Sequence, residues 1–241
     1  MKDKQHKLSK RNGDASYEDF IKKGYLKEAI INYIALLGWS PGGEQEIFSL
    51  SELAEAFDLD GISKSPSIFD NEKLTWMNAQ YISRMDTDEF LERAKPYFDE
   101  ALKGEFDRRF IAELLQPRLE TLAQIPEKIS FLSEMPDYDI ELYTHKKMKT
   151  NPEISLPILE GLLPVMESQE DYSAAALHDA VMDYIKTTGE KNGKILWPLR
   201  IAITGTKVTP GGAFEAAALL GKDETLRRLR LSIDKLKSSI S

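Results

Sequence analysis

Residues 26–38 of the chain read LKEAIINYIALLG, and their apolar side chains recur at the spacing of an α-helix. These apolar positions, three or four residues apart along one face, are Leu26, Ala29, Ile30, Tyr33, Ile34 and Leu37. The stretch therefore predicts a helix that is buried along this face. Gly38 predicts its end, because glycine favours the left-handed conformation that commonly follows the last helical residue.

Further helices are marked by capping signals at their predicted starts. Ser49 followed by Glu52 matches the capping-box pattern, in which each side chain bonds the other residue's backbone N–H. Asp70 precedes an apolar stripe, and Asn151 precedes a proline that suits the first turn of a helix. The pattern as a whole predicts a mainly α chain of ten or more helices.

Strand signals are scarce. Short strands are predicted at residues 46–49 and near residues 61–63, and neither supports a large sheet. Prolines divide the second half into short helices, because proline removes a backbone donor and clashes with the preceding turn. Soft boundaries are predicted near residue 85 and at residues 137–151, where the apolar pattern is interrupted.

The composition excludes several classes of site. The chain of 241 residues contains no cysteine, which excludes disulfides, thiolate zinc sites and cysteine nucleophiles. Its three histidines are far apart and none belongs to a metal-spaced pair, so no metal site is predicted. No apolar run approaches the ~20 residues of a membrane span, and the first residues lack the apolar stretch of a signal peptide. We therefore expect a cytoplasmic protein with no membrane partner.

Charge is distributed unevenly along the chain. The formal net charge is −8, which taken alone argues against a nucleic-acid partner. Residues 1–11 and 222–237 are nevertheless locally basic, and Lys146, Lys147 and Lys149 form a third cluster. A solvated face is the simplest interpretation of each cluster. Because salt screens charges only beyond roughly 8–10 Å, local clusters can still attract a polyanion, so the net charge does not exclude RNA.

The N-terminal basic segment contains the pentad KLSKR at residues 7–11. Two lysines flank a serine, and ammonium and hydroxyl groups so arranged can donate to phosphate oxygens. Basic pentads are common, so the spacing alone is a weak indication of a phosphate site. The sequence has no Gly-x-Gly-x-x-Gly motif, Walker loop or Gly-x-Ser-x-Gly elbow, and no pair of carboxylates is nominated as acid and base.

Together with the segments that follow it, KLSKR resembles the KMSKS motif of class I aminoacyl-tRNA synthetases, with leucine for methionine and arginine for the final serine. The later segments resemble those of bacterial glutamyl-tRNA synthetases and occur in the same order. They are GYLKEA at 24–29, LLGWS at 36–40, FDNEKL at 69–74, WMNAQYI at 76–82, WPLRIAITG at 197–205 and LLGK at 219–222. The resemblance extends over essentially the whole chain.

The resemblance implies a division into four regions. Residues 1–15 would form the ATP loop, and residues 16–85 a stem-contact region with minor β structure. Residues 86–150 and 151–241 would form two helical subdomains of the anticodon-binding region. The family's nucleotide fold, with its HIGH motif, normally precedes the KMSKS loop. We therefore expect the C-terminal portion of a larger enzyme, inactive without its N-terminal catalytic domain; a free-standing protein is the alternative.

The resemblance also implies the residues that serve glutamate activation. Lys7 and Lys10 would be catalytic, with Lys10 as the main charge on the departing phosphates. Lys7, Ser9 and Lys10 would bind ATP, which the full-length enzyme uses with magnesium. Without the catalytic domain, this chain is not expected to bind a cofactor tightly.

Four residues are the predicted RNA contacts. Arg118 aligns with the family's reader of the last anticodon base, and Arg200 with a second anticodon contact. A cytosine edge offers the O2 and N3 acceptors to a guanidinium, whereas guanine presents donors there. Trp76 and Arg84 are the candidate contacts in the stem-contact region, and packing between domains is the alternative for Trp76. Ser83 precedes Arg84 where family members often have arginine directly after the Tyr-Ile pair.

The expected partner is tRNA(Glu), bound by a monomer. Two alternatives remain open at this stage. One is a synthetase that also charges tRNA(Gln), against which Arg118 argues because it would distinguish the two anticodons. The other is a non-catalytic helical interaction scaffold, in which Arg118 and Arg200 would form only surface salt bridges.

Overall fold

The computed structural model describes residues 16–65 and 67–240. The predicted ATP-binding residues Lys7, Ser9 and Lys10 lie outside the described residues. Eleven α-helices make up most of the described chain. In chain order, α1 to α11 are Tyr17–Lys22, Lys27–Gly38, Leu50–Ala56, Asn71–Arg84, Thr87–Ala101, Arg108–Leu115, Ile125–Ser133, Pro152–Ser168, Ala174–Thr188, Asn192–Thr204 and Ala213–Ile240. Shorter 3₁₀ helices span Gln116–Arg118, Leu122–Gln124 and Ile140–Tyr143.

The prediction of a mainly α chain is confirmed, and so are the predicted helix starts. Ser49 and Glu52 form a complete capping box at the start of α3. The Asp70 carboxylate accepts hydrogen bonds from the backbone of Glu72 and Lys73 at the start of α4, and Asn151 caps α8. These local signals work because a helix start needs nearby acceptors for N–H groups that have no partner within the helix.

The predicted strand at residues 46–49 does not form. The backbone N–H of Phe48 donates to Oδ1 of Asn32 at 2.9 Å, and its carbonyl accepts from the hydroxyl of Tyr81. Side chains on two helices thereby satisfy the backbone groups that a neighbouring strand would otherwise bond. At the second predicted strand, Ile62 forms an isolated antiparallel bridge with Trp39. The described residues do not extend this bridge into a strand ladder.

Leu26, Ala29, Ile30 and Tyr33 are buried as predicted, but the buried face of α2 differs from the predicted one at two nearby positions. Ile34, predicted to be buried, is 55% exposed, whereas the polar Asn32 is fully buried. Asn32 is stabilised there because its carbonyl oxygen accepts from both Phe48 and the Tyr81 hydroxyl. Gly38 is the last helical residue and not a left-handed cap, since extended Trp39 follows it directly.

The chain packs as two compact units. The first contains the described residues of Met1–Glu100 together with Ala112–Pro126. The second contains Ala101–Ile111 together with the described residues of Glu127–Ser241. The four regions predicted from the resemblance concern function, and they remain predictions.

In the first unit, α2 packs against α4 around a shared apolar core. Its buried members are Phe20, Ile30, Tyr33, Leu74 and Met77. Asn78 on α4 accepts a hydrogen bond of 2.8 Å from the backbone N–H of Leu26 and donates one of 2.6 Å to the carbonyl of Glu120. A buried side chain of α4 therefore connects the start of α2 to the segment that follows Arg118.

In the second unit, α11 packs against α8, α9 and α10. The predicted stripe on this last helix is confirmed, with Leu226, Leu229, Ile233 and Leu236 all buried. Gly221 interrupts the helix with φ 74° and ψ 170°, a conformation that residues with a Cβ rarely adopt. The segment after Gly221 is the one that holds the C-terminal end of α10.

Candidate nucleic-acid interface

Arg118 lies at the end of the 3₁₀ helix Gln116–Arg118, directly after α6. Its side chain is exposed, and Nη1 donates a hydrogen bond of 2.7 Å to the carbonyl of Leu114. Over residues 16–65 and 67–240, no carboxylate forms an ion pair with it. The guanidinium therefore keeps most of its N–H donors for a ligand.

The backbone that carries Arg118 is anchored on both sides. Before it, the amide of the buried Gln116 donates to the carbonyls of Ile82 and Met85 at 2.9 and 2.6 Å, which holds the turn against the C-terminal end of α4. After it, the N–H of Leu122 donates to the carbonyl of Gly24 at 3.0 Å. An exposed arginine on such a fixed turn is preorganised, so binding a ligand costs little backbone entropy.

Gly24 allows this close approach. Its φ is +78°, and a Cβ at this position would lie 2.3 Å from the backbone nitrogen of Ala123. Any larger residue would push the segment after Arg118 away from the loop between α1 and α2. In the sequence Gly24 is only part of a motif, whereas the structure gives it a definite packing role.

Arg200 occupies the third turn of α10 in the second unit and is half-buried. Nη1 makes a long hydrogen bond of 3.4 Å to the carbonyl of Lys207. Its Nε is buried and has no hydrogen-bond partner among the described residues. Burial lowers the pKa of this guanidinium, and the charge of Glu215 opposes that shift. A buried donor without a partner is costly, which sets Arg200 apart from an ordinary solvated arginine.

Arg228 belongs to the basic segment at residues 222–237, for which a solvated face is the simplest interpretation, and for this residue that interpretation is wrong. Its side chain is 1% exposed. It donates to the carbonyls of Phe131 and Ile203 at 2.7 and 3.0 Å, and Nε pairs with Glu224 at 2.5 Å. The guanidinium thus binds carbonyls near the C-terminal ends of α7 and α10, where helices lack backbone donors.

The spacing of residues on α11 carries the signal that sequence reasoning missed. Thr225, Arg228 and Ser232 are three and four residues apart, so they share one helix face with buried leucines. Ser232 donates a hydrogen bond of 2.8 Å to the carbonyl of Ala202, next to the Ile203 carbonyl that Arg228 binds. Two polar residues of α11 therefore hold the last turn of the helix that carries Arg200.

Trp76 and Arg84 both lie exposed on α4. The Trp76 ring is 43% exposed, and Nζ of Lys73 lies 4.3 Å from its centroid. Arg84 donates a hydrogen bond of 3.3 Å to Gln80 and lines a cleft of about 650 Å³ together with Tyr81 and other residues of the first unit. Burial raises the pKa of Tyr81 to about 12, so its hydroxyl stays protonated as a donor.

Other classes of site find no support in the part of the chain that the structure describes. No group of three or more acidic or histidine side chains there is arranged to hold a metal ion. None of the described helices is both long and apolar enough to cross a membrane. His178 is exposed beside Asp179, as expected of a histidine on a helix surface.

Two protein families match this sequence. A family described as "Anticodon binding domain" matches residues 89–233. A second, described as "tRNA synthetases class I (E and Q), catalytic domain", matches residues 1–76. The first match includes both Arg118 and Arg200.

Among curated relatives, the chain is 54% identical over 238 residues to a glutamate–tRNA ligase of Clostridium acetobutylicum, which covers 98% of this chain and 49% of the relative. It is 53% identical over 241 residues to a glutamate–tRNA ligase of Clostridium tetani, which covers 100% of this chain and 49% of the relative. The chain thus spans about half the length of the curated relatives it matches.

Two solved structures are also similar to nearly the whole of this chain, and the match again covers about half of each. The crystal structure of a glutamate tRNA ligase from Elizabethkingia meningosepticum, in complex with its amino acid, is similar with a TM-score of 0.84 and 28% identity. That match covers 98% of this chain and 50% of the other. Glutamate-tRNA synthetase from Elizabethkingia anophelis is similar with a TM-score of 0.81 and 26% identity, over 97% of this chain and 49% of the other.

Proposed function

The chain belongs to the anticodon-binding-domain family, and from this we propose that it is the tRNA-binding part of a glutamate–tRNA ligase, from the KMSKS loop onward. The observation that carries the proposal is the state of Arg118. It is exposed on an anchored turn, and a backbone carbonyl is its hydrogen-bond acceptor. An arginine fixed in this way, with donors to spare, suits a splayed anticodon base better than a surface salt bridge.

Arg118 reads the last anticodon base in this proposal. Cytosine presents two adjacent acceptors, O2 and N3, which match the guanidinium fork. Guanine presents N1–H and N2–H₂ donors instead, and these would leave the arginine without a partner. The last base separates glutamate from glutamine anticodons, so Arg118 favours a ligase that charges tRNA(Glu) alone over one that also charges tRNA(Gln).

Arg200 supplies a second anticodon contact. Its side chain is half-buried, and the accessible part of the guanidinium can donate to a carbonyl or ring nitrogen of an anticodon base. The two anticodon readers thus differ in kind. Arg118 offers several exposed donors, whereas Arg200 offers a half-buried group.

The remaining assignments belong to the whole enzyme. Residues 16–85 form the stem-contact region, with Trp76 and Arg84 at the RNA. Lys7, Ser9 and Lys10 hold ATP, and their ammonium and hydroxyl donors fit phosphate oxygens. ATP, held with magnesium, would supply the adenylyl group that activates glutamate, with pyrophosphate as the leaving group. The enzyme works as a cytoplasmic monomer, and this chain makes no glutamyl-adenylate without its catalytic domain.

Electrophoretic mobility shift with a tRNA(Glu) transcript at several salt concentrations tests the proposal. We expect binding that weakens steeply as salt rises, because each phosphate contact releases counterions. Absence of a shift at low salt would favour the alternative of a protein-interaction scaffold. Formation of glutamyl-adenylate by the purified chain would contradict the assignment of catalysis to a separate domain.

A further inference from the structure

Residues 145–150 form a closed basic turn in the second unit. The backbones of His145 and Thr150 bond each other through N–H···O distances of 3.0 and 3.4 Å. Inside the turn, the N–H of Lys149 donates to the carbonyl of Lys146, and the N–H of Met148 donates to Nδ1 of the His145 ring. The backbone of the turn is therefore fixed by its own hydrogen bonds.

The turn is packed against α10, the helix that carries Arg200. The His145 ring contacts the Trp197 ring with centroids 4.4 Å apart. Nearer the start of α10, a Cβ on Gly193 would lie 2.2 Å from the sulfur of Met148, so glycine leaves the space that Met148 fills. Two side chains of the turn, His145 and Met148, therefore pack against α10.

The contacts of the turn and Arg200 lie on one face of α10. Gly193, Trp197 and Arg200 are spaced at i, i+4 and i+7, which places them along a single helix face. At 1.5 Å per residue, Gly193 and Arg200 are separated by roughly 10 Å along the axis. The α10 residues that contact the turn therefore share a helix face with Arg200, and Trp197 lies about one helical turn from it.

The turn brings three exposed lysines together on one short segment. Lys146, Lys147 and Lys149 are exposed, and within residues 16–65 and 67–240 no carboxylate forms an ion pair with any of them. By contrast, Lys95 pairs with Asp99 and Lys186 pairs with Asp183. The turn therefore concentrates three ammonium groups that no described carboxylate neutralises.

Lys149 adds a second, independent observation. Its φ of 57° lies in the left-handed region, where glycine or asparagine is favoured over lysine. Either of those two would adopt this conformation with less strain than lysine. Lysine at this position instead adds a third positive charge to the turn.

We infer that Lys146, Lys147 and Lys149 bind phosphates of the RNA strand beside the anticodon base that Arg200 contacts. This inference rests on the proposed function and adds to it the element that holds the anticodon backbone. Lysine ammonium groups act as point charges toward phosphate, so they position the strand without reading its sequence. Base recognition is left to Arg118 and Arg200.

The test compares two triple variants of the whole chain that change net charge equally. In the first, Lys146, Lys147 and Lys149 are each replaced by glutamine. In the matched control, the replaced residues are the paired, exposed lysines Lys95, Lys103 and Lys186. The dissociation constant for a tRNA(Glu) transcript is measured from low to physiological salt, and circular dichroism verifies that each variant is folded.

We expect the turn variant to bind at least tenfold more weakly at low salt and the log–log salt slope to fall by about 2, since each phosphate contact contributes about 0.7–0.9. The control should change both quantities by much less. The single variant Lys147→Gln, at the tip of the turn, should remove close to one contact even if the triple variant is poorly folded.

The outcomes separate the inference from the proposed function. In one outcome, the unmodified chain binds tRNA with a steep salt dependence while the turn and control variants have equal dissociation constants. That result would overturn the role of the turn and leave tRNA binding intact. Absence of tRNA binding by the unmodified chain would overturn both.

Discussion

The guanidinium of Arg228 donates a hydrogen bond of 3.0 Å to the carbonyl oxygen of Ile203, one turn beyond Arg200 on α10. The same group bonds the carbonyls of Phe131 and Leu132 near the end of α7. A single buried side chain thereby satisfies backbone acceptors of two helices. The position of the Arg200 helix in the second unit depends on this residue of α11.

Arg228→Met is expected to lower the free energy of unfolding by about 3 kcal/mol. The substitution leaves buried carbonyls without donors, and each unsatisfied group costs about 1–3 kcal/mol. Urea denaturation measures the change. Arg227→Met is the matched control, because Arg227 is exposed and its ion pair with Glu224 should contribute less than about 1 kcal/mol. Equal losses in the two variants would contradict the anchoring role.

Gly24→Ala is expected to destabilise the chain by more than about 2 kcal/mol. The new Cβ would meet the backbone of Ala123 at 2.3 Å and would also sit at a φ of +78°. Gly42→Ala separates these effects, because Gly42 has φ +72° and a Cβ added there would have no other atom within 4 Å. Its loss of stability in urea should be about 1 kcal/mol. A loss at Gly24 no larger than at Gly42 would remove the close-approach argument.

Gln116→Leu is expected to lower stability by about 1–2 kcal/mol, because two carbonyls at the end of α4 lose their donor. For a chain of this size that corresponds to a fall in Tm of roughly 2–8 °C. Gln124→Leu is the control, since Gln124 is only partly buried and bonds Glu120 at the surface. Thermal melting that shows no difference between these variants would disprove the anchoring of the Arg118 turn by Gln116.

Stability should depend on Glu224 in a defined pH range. Hydrogen bonds from Arg227 and then Arg228 lower the pKa of Glu224 from 4.5 to about 2. The ionised carboxylate therefore stabilises the folded state fully above pH 4.5, and this contribution is lost as pH falls toward 2. The difference in unfolding free energy between the unmodified chain and Glu224→Gln should be constant above this range and shrink within it. If the unfolding free energies of the two proteins differ by a constant amount from about pH 6 down to about pH 2, the lowered pKa of Glu224 is ruled out.

Helix starts were predictable from the sequence because capping is local. Ser49, Asp70 and Asn151 each cap a helix as predicted, since their partners lie two or three residues away. The burial of Asn32 and of Arg228 was not predictable from the apolar pattern, because both bond partners far away in sequence. The apolar pattern correctly predicted the stripe of α11, and tertiary hydrogen bonds account for the buried polar residues that it missed.

The candidate site was likewise predictable from the sequence only in part. Composition and spacing alone did not distinguish Arg118 or Arg200 from other surface arginines, and their selection depended on the family resemblance. The structure adds what sequence lacks: the anchored turn of Arg118 and the buried Nε of Arg200 without a described partner. The basic turn was visible in sequence as a cluster of lysines, but its seat on the Arg200 helix was not.

The most direct test of anticodon reading is a cycle of two proteins and two RNAs at one fixed salt concentration. Dissociation constants are measured for tRNA(Glu) transcripts with cytosine or guanine as the last anticodon base, using the unmodified chain and Arg118→Ala. Arg230→Ala serves as the control, because Arg230 is an exposed arginine paired with Glu167. The unmodified chain and the control should prefer cytosine by about 10- to 100-fold, the range expected for one good base contact. Arg118→Ala should bind the two transcripts almost equally; a preference for cytosine that survives the loss of Arg118 would contradict the account.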